Sequence, residues 1–274
     1  MDPRMNNNLP VVLSVTSGKG GVGKTNMAVN LAHSLAGMDK KVLLLDADLG
    51  LANVDVLLGL TPEYNIFHLF ESGISLEKIL VETEFGFSIL PASSGATEML
   101  SLSTGQKLEL LEAMDHLDRS LDFLIVDTGA GINDNVLYFN LAVQERLLVM
   151  TPEPTSLTDA YALIKVLNSS HGVNRFRVLV NMCRTPEDGR EVFKKLYAAC
   201  DHFLEGISLD LTGIIPLDAG IKKAVSRQVP FSAQKSSPAT TALNSCAQKI
   251  INWKPAEQLD GNIKFFWKKL LFQE

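Results

Sequence analysis

The chain has 274 residues, 46% of them hydrophobic and 20% charged, and a formal net charge of −6. That apolar fraction fills a substantial core, and the length admits one large α/β domain or two small ones. The overall acidity argues against a nucleic acid as the main partner unless basic residues gather on one face. No apolar run reaches the length of a membrane span, and Met1–Asn8 lacks a signal-peptide pattern. The three cysteines, Cys183, Cys200 and Cys246, are scattered, with no CxxC or other metal spacing, which reads as buried thiols in a reducing compartment.

In chain order, Val11–Thr16 is a short apolar run that reads as a strand. It breaks into Gly18-Lys19-Gly20-Gly21-Val22-Gly23-Lys24-Thr25, after which Thr25–Gly37 reads as a helix. A glycine-rich loop between a strand and a helix is a phosphate-binding loop. Its glycines let backbone N–H groups approach a polyphosphate, and the helix adds the positive end of its dipole. Lys24 reaches the β- and γ-phosphates, and the Thr25 hydroxyl coordinates Mg²⁺. Lys19 within the loop is unusual, although a solvated surface lysine is the plainer reading of that residue alone.

Lys41–Asp46 reads as the second strand and is left through Asp46-Ala47-Asp48. Two carboxylates at alternate positions leaving a strand aim at a metal–phosphate site, while Asp48 alone would also suit a helix cap. Phe87–Pro91 and Asp122–Asp127 read as further strands, with Gly105–Leu117 as a helix between them. Four apolar residues running into Asp127 fit a carboxylate that holds Mg²⁺ through water or through Thr25. Arg146–Thr151, Arg177–Met182 and Leu211–Ile215 complete the strands, and Ser156–Ser169 and Glu187–Phe203 the helices. Thr155 or Ser156 and Asp188 stand where helix-start residues belong. Apolar strands alternating with helices predict an α/β fold, a doubly wound, mostly parallel sheet with helices on both faces. Ligands then bind beyond the carboxyl ends of the strands. Asn181 stands at such an end; its amide can donate and accept at an adenine edge, though Asn at a strand end is more often a turn residue.

The expected organisation is a flexible segment over residues 1–10, one P-loop domain over 11–254, and a linker and helix over 255–274. In the tail, Ile263, Phe266, Trp267, Leu270 and Leu271 fall at helical i, i+3, i+4, i+7 and i+8 spacing. Lys264, Lys268 and Lys269 lie mainly off that stripe. The pattern suits a membrane interface, each lysine adding ~1 kcal/mol near an anionic leaflet, and it suits docking on the chain's own domain equally well.

Lys19 beside paired glycines resembles the deviant loop of the MinD/ParA family of P-loop ATPases, and the likeness extends over residues 11 to about 230. Within that family, Asp46–Gly59 and Pro154–Lys165 are similar to the flagellar-number branch, FlhG/FleN. The resemblance implies an ATP- and Mg²⁺-dependent homodimer in which Lys19 reaches the partner's nucleotide, making Lys19, Lys24 and Asp48 the catalytic residues. It gives Asp48 the attacking water and places Asp46 near Mg²⁺ with Thr25 and Asp127. It makes Thr128–Gly131 a second switch whose amides, Gly131 included, approach the γ-phosphate, with Gly129 where relatives often carry Ala. It sets the base against Asn181 and Pro216.

For partners, the resemblance implies a FleQ-type σ54-dependent activator, an FlhF-type GTPase, and the anionic inner face of the membrane near the pole, with direct DNA binding unfavoured. Met1–Pro10 lacks the DQAxxLR motif by which some members stimulate that GTPase. The resemblance favours membrane targeting for the tail, strengthened when a dimer presents two copies. A ParA-like DNA partition ATPase and a MinD-type division-site regulator remain the alternatives. Iron–sulfur carriers on this fold need paired cysteines that this sequence lacks.

Overall fold

The computed structural model describes residues 10–48, 53–71, 73–91, 103–118, 121–253 and 263–272. The expected N-terminal segment up to residue 9, residues 49–52 after Asp48, the expected linker residues 254–262 and the side chain of Lys264 lie outside the described residues.

β1 (Val11–Ser17) lies inside an eight-stranded sheet with the strand order β3-β4-β2-β5-β1-β6-β7-β8. The other strands are β2 (Val42–Ala47), β3 (Val81–Glu82), β4 (Ser88–Pro91), β5 (Phe123–Ala130), β6 (Glu145–Met150), β7 (Arg175–Cys183) and β8 (Ser208–Pro216). Every pairing is parallel except that of β3, which runs antiparallel to β4 at one edge. β2 and β6 are buried along their whole length. A strand covered on both faces needs apolar residues at successive positions, which is why these runs do not alternate.

Side chains alternate across the sheet and sort the core into layers. Leu13 and Val15 point to the face covered by helices Lys24–Ala36 and Pro238–Ile251. Val12, Leu124 and Val126 point to the other face, toward helices Thr104–Asp118 and Asp134–Ala142. Helices Pro154–His171 and Pro186–Phe203 cover Leu148, Met150, Val178 and Val180 on the β6–β7 side.

All the expected strands and helices form, with ends moved by a few residues. Asp188 caps as expected: Thr185 and Asp188 make a reciprocal capping box at the start of Pro186–Phe203. Among the described residues, the longer helices Asp134–Ala142, Ala219–Ser226 and Pro238–Ile251 and the short ones Val54–Leu58, His68–Glu71, Leu76–Ile79 and Phe231–Ala233 were not expected. Asp134–Ala142 carries no amphipathic stripe, because Val136, Tyr138, Phe139 and Ala142 are buried on several sides. Buried Arg146 closes its carboxyl end, donating from Nε to the Asn140 carbonyl (2.7 Å) and from a terminal nitrogen to that of Val143 (2.9 Å).

The tail helix, Ile263–Leu271, completes the core. It packs on Thr104–Asp118 and Asp134–Ala142, in one cluster with Val12, Leu110, Met114 and Phe139. Ile263, Phe266, Trp267, Leu270 and Leu271, the stripe expected to meet a membrane, are each at most 2% exposed. Burial of such a side chain is worth about 1.5–3 kcal/mol, so the groove holds the helix by the same force a bilayer would use. Lys268 and Lys269 stay exposed, and the Lys269 ammonium stands over the Phe265 ring at 4.7 Å. Among the described residues no helix is long and apolar enough to cross a membrane.

One close approach in this packing is directly testable. A Cβ at Gly213 on β8 would lie 2.0 Å from the Cys246 sulfur on Pro238–Ile251. Gly213→Ala is expected to destabilise the protein by about 1–3 kcal/mol in urea unfolding, as overpacking does. In a Cys246→Ala background the same change should cost less than about 1 kcal/mol.

Candidate nucleotide-binding site

β1 runs into a loop that turns sharply before the Lys24–Ala36 helix. Gly23, at φ 87°, holds the left-handed conformation at the helix start. Gly18 is required for a different reason: a Cβ there would lie 2.1 Å from the Asp159 carbonyl oxygen, so the loop is pressed against the Pro154–His171 helix. Lys24 folds back beneath the loop. Its Nζ lies 2.8 Å from Asp127 Oδ1 and 3.4 Å from Thr25 Oγ1.

Asp127 and Asp46 are cross-strand neighbours on β5 and β2. Asp127 is fully buried, and its Oδ2 has no hydrogen-bond partner among the described residues. Burial pushes its carboxyl upward, against the pull of the Lys24 charge and hydrogen bonds from Lys24 and Thr25. Asp46 Oδ2 accepts the N–H groups of Asn53 and Val54, each at 3.2 Å, at the start of the one-turn helix Val54–Leu58. Its Oδ1 accepts the Asp48 N–H at 3.2 Å. Burial first, then repulsion from Asp127, raises Asp46 to about 7. Asp48 is half-buried, its Oδ2 held by Asn53 Nδ2 at 3.4 Å.

Of these groups Lys24, Thr25, Asp48 and Asn53 border an open cleft of about 740 Å³, which Lys19, Gly20, Gly21 and Gly23 of the loop also line, together with Val56, Leu57, Val225 and Gln228. The size is that of a small-molecule site. An orphaned carboxylate oxygen, a second buried carboxylate and the Thr25 hydroxyl are hard oxygen donors, the set Mg²⁺ takes. Among the described residues no cluster of three or more His, Cys, Asp or Glu is spaced to hold a metal alone. A Mg²⁺ ion shared with phosphate oxygens and water does not need one.

The second loop is tied to the first. Gly131 donates its N–H to the Ser17 carbonyl at 2.9 Å, and a Cβ at Gly129 would meet Asp48 Oδ1 and Val136 Cγ2 at 3.5 Å each. Alanine therefore fits position 129 in ordinary contact. Lys19 is tethered within its own chain: Nζ lies 2.8 Å from Glu153 Oε2 and 2.7 Å from Thr155 Oγ1.

The structure thus brings together Lys19, Gly20–Thr25, Asp46, Asp48, Asp127 and Gly131. Asn181 approaches from the other side of the loop and is 2% exposed, its Nδ2 donating to the Val22 carbonyl at 2.9 Å. Pro216 ends β8 opposite Cys183 and is half-buried. Sequence reasoning missed Asn53 as the residue gripping Asp46 and Asp48, and it left Glu153 without a role. It also missed Gln228, whose Nε2 donates to the Val56 carbonyl at 2.9 Å across the cleft. Only Asn53 carried a usable signal, as an Asn at a helix start.

A mostly parallel sheet, a phosphate-binding loop after the inner strand β1 and two carboxylates side by side on β5 and β2 define a P-loop nucleoside triphosphatase. The ParA family, described as NUBPL iron-transfer P-loop NTPases, matches residues 8–251. The antiactivator FleN of Pseudomonas aeruginosa is 48% identical over 95% of this chain and 93% of its own. The flagellum site-determining protein YlxH of Helicobacter pylori is 32% identical over 94% and 89%. Among solved structures, MinD in the MinC:MinD cell division complex of Aquifex aeolicus superposes with a TM-score of 0.71 at 28% identity, covering 90% of this chain and 98% of that one. The chain belongs to the MinD/ParA family of P-loop ATPases. The iron transfer in the family description finds no paired thiols here: Cys183, Cys200 and Cys246 are free and buried on separate elements, and burial pushes them up to about 11, 12 and 11.

The pH dependence follows from Asp46. Between the ordinary carboxylate value of 3.8 and about 7, the folded protein keeps a proton that the unfolded chain has released. Stability is therefore lost as pH rises through that window and is level above it. In urea unfolding of nucleotide- and metal-free protein, Asp46→Asn is expected to gain on the parent by about 1–2 kcal/mol between pH 5 and pH 7.5. An equal difference at both values would refute the assignment.

Proposed function

We propose that this ATPase is a nucleotide-switched dimer that restrains flagellar gene expression, and so flagellar number, by engaging a FleQ-type σ54-dependent activator. The observation that carries the reading is Lys19 standing in the phosphate loop with its ammonium bound, among the described residues, only to the exposed Glu153 and Thr155 of its own chain. In Lys19–Glu153 the side chains are 34% and 65% exposed. An exposed pair of this kind is worth about 0–1 kcal/mol, so the lysine is free to leave for a phosphate of a second copy.

The backbone N–H groups of Gly20–Thr25 receive the phosphates, and Lys24 exchanges Asp127 for the β- and γ-oxygens. Thr25, Asp46 and Asp127 would hold Mg²⁺. When bound, Mg²⁺ neutralises charge on the phosphate oxygens. Asp48, steadied by Asn53, orients the attacking water, and the Gly131 N–H turns from the Ser17 carbonyl to the γ-phosphate. Hydrolysis releases both loops and the dimer separates. Antiactivation is the function named for the FleN relative at 48% identity.

We infer further that the tail helix leaves its groove for an anionic membrane in the ATP-bound dimer, placing the protein on the cytoplasmic face near the pole, where an FlhF-type GTPase is a further partner. Two tails held on one dimer bind by effective concentration where one binds weakly.

Light scattering is expected to show twice the mass with a non-hydrolysable ATP analogue as with ADP; one mass in every state sinks the switch. Lys24→Ala should abolish nucleotide binding, whereas Asp48→Ala should keep ATP and the dimer while turnover drops by about 100-fold or more. Pull-down from lysate with the Asp48→Ala protein should recover a σ54 activator; a septum inhibitor or chromosomal DNA in its place would reassign the partner. Sedimentation with anionic liposomes should require the ATP analogue and the tail, and equal binding by a chain ending at Pro255 would reject the membrane role.

A further inference from the structure

Polar side chains gather at one end of an otherwise apolar layer. Val12 on β1 and Val126 on β5 face the layer that holds helix Asp134–Ala142. Side chains two apart share a face of a strand, so Ser14 and Thr16 continue the row of Val12, and Thr128 continues that of Val126. These three and Asn140 on the facing helix are each 0% exposed. Polar groups so deeply buried need partners.

They find them in one another. Asn140 Oδ1 accepts the Ser14 hydroxyl at 2.8 Å, and its Nδ2 donates to Thr16 Oγ1 at 3.0 Å and to the Val136 carbonyl at 2.7 Å. Thr16 Oγ1 lies 3.1 Å from Thr128 Oγ1. The bonds therefore run from the helix, through β1, to the residue that follows Asp127. Apolar residues of the same shape would fill this space at little cost in stability. What the bonded network adds is a fixed geometry between its members.

Its two ends lie where the proposed cycle acts. The Thr128 hydroxyl has one proton and three acceptors in reach: the Gly129 carbonyl at 3.0 Å, Thr16 Oγ1 at 3.1 Å and the Val15 carbonyl at 3.2 Å. The β1–β5 register shifts here, between Val15 and Ser17, so the backbone path decides which acceptor is taken. At the other end, Asn140 follows Phe139, which packs in one cluster with Phe266 and Trp267 of the tail.

We propose that Asn140 is a positioning residue: it relays the state of the Thr128–Gly131 segment to helix Asp134–Ala142 and so sets how firmly that helix holds the tail. When Gly131 turns from the Ser17 carbonyl to a γ-phosphate, the Gly129 carbonyl moves with it. The Thr128 proton is redistributed, the Thr16–Asn140 bond adjusts, and the helix under the tail shifts. The proposal rests on the switched-dimer reading above and names the route by which the nucleotide reaches the tail.

Hydrogen exchange of the tail helix Ile263–Leu271 tests it, in the full chain saturated with Mg²⁺ and either ADP or a non-hydrolysable ATP analogue. In the parent the tail is expected to exchange faster with the analogue, by roughly 5-fold or more. The double variant Ser14→Val/Asn140→Leu removes both partners of a bond and leaves no orphan. In it the tail should exchange at one rate in both states, while light scattering still shows the dimer with the analogue. A merely structural loss would speed exchange alike in both states and keep the parent's ratio, which would overturn the proposal. Thr128→Val cuts the same network from the strand side and serves if the double variant does not fold. It too should lose the ratio and keep the dimer. A parent-like ratio in either folded variant, or loss of the dimer together with the tail response, would overturn the relay. If the parent's own tail exchanges alike with both nucleotides, the tail-release reading itself falls, and the relay falls with it.

Discussion

One buried ion pair organises the site. Asp127 sits wholly inside the sheet, and an unpaired carboxylate there would carry a desolvation penalty of several kcal/mol. The Lys24 ammonium offsets part of it from 2.8 Å. The geometry of the loop follows, because Lys24 is the first residue of its helix and can reach Asp127 only if the chain doubles over between Ser17 and Gly23. Lys24 faces a group of three carboxyl groups, Asp46, Asp48 and Asp127, while Lys19 is paired with Glu153, so the site gains from a divalent cation beside a phosphate chain.

The surrounding polar groups are graded by how firmly they are held. Asp46 is fixed by three backbone N–H groups, and Asn53 reaches on from there to Asp48. The Gly131 tie to Ser17 is a single backbone bond, and the Lys19 tether to Glu153 and Thr155 is solvent-exposed. Lys19 and Gly131, which move in the proposed cycle, are loosely held, whereas Asp46, which stays, is buried and multiply bonded.

The sheet and the loop were legible because their constraints are local and peculiar. A strand buried on both faces has to be apolar at successive positions, as β2 and β6 are, and an eight-residue phosphate loop tolerates few substitutes. Asp46 and Asp127 could be paired because both end such strands. The Asp134–Ala142 helix was not legible: burial on several sides erases the stripe from which a helix is read. β3 escaped because two residues carry no periodicity. Asn181 was seen as a strand end, but its bond to the Val22 carbonyl follows from the meeting of two segments distant in sequence. The tail was legible as an amphipathic helix, yet no pattern in the chain says whether its apolar side faces lipid or the groove beside Phe139.

That groove has a consequence of its own. The tail helix is the lid of the hydrophobic layer that holds Val12, Leu110, Met114 and Phe139. Taking it out strips the core on one side and leaves a trough of the sort that makes proteins stick to one another. In the proposed cycle, leaving the groove would be a partial unmaking of the fold, and heat, denaturant and lipid would all pull on the same equilibrium. Trp267 would ease that departure, because its indole Nε1 is buried without a partner among the described residues, a deficit that would end wherever the ring met water or a headgroup.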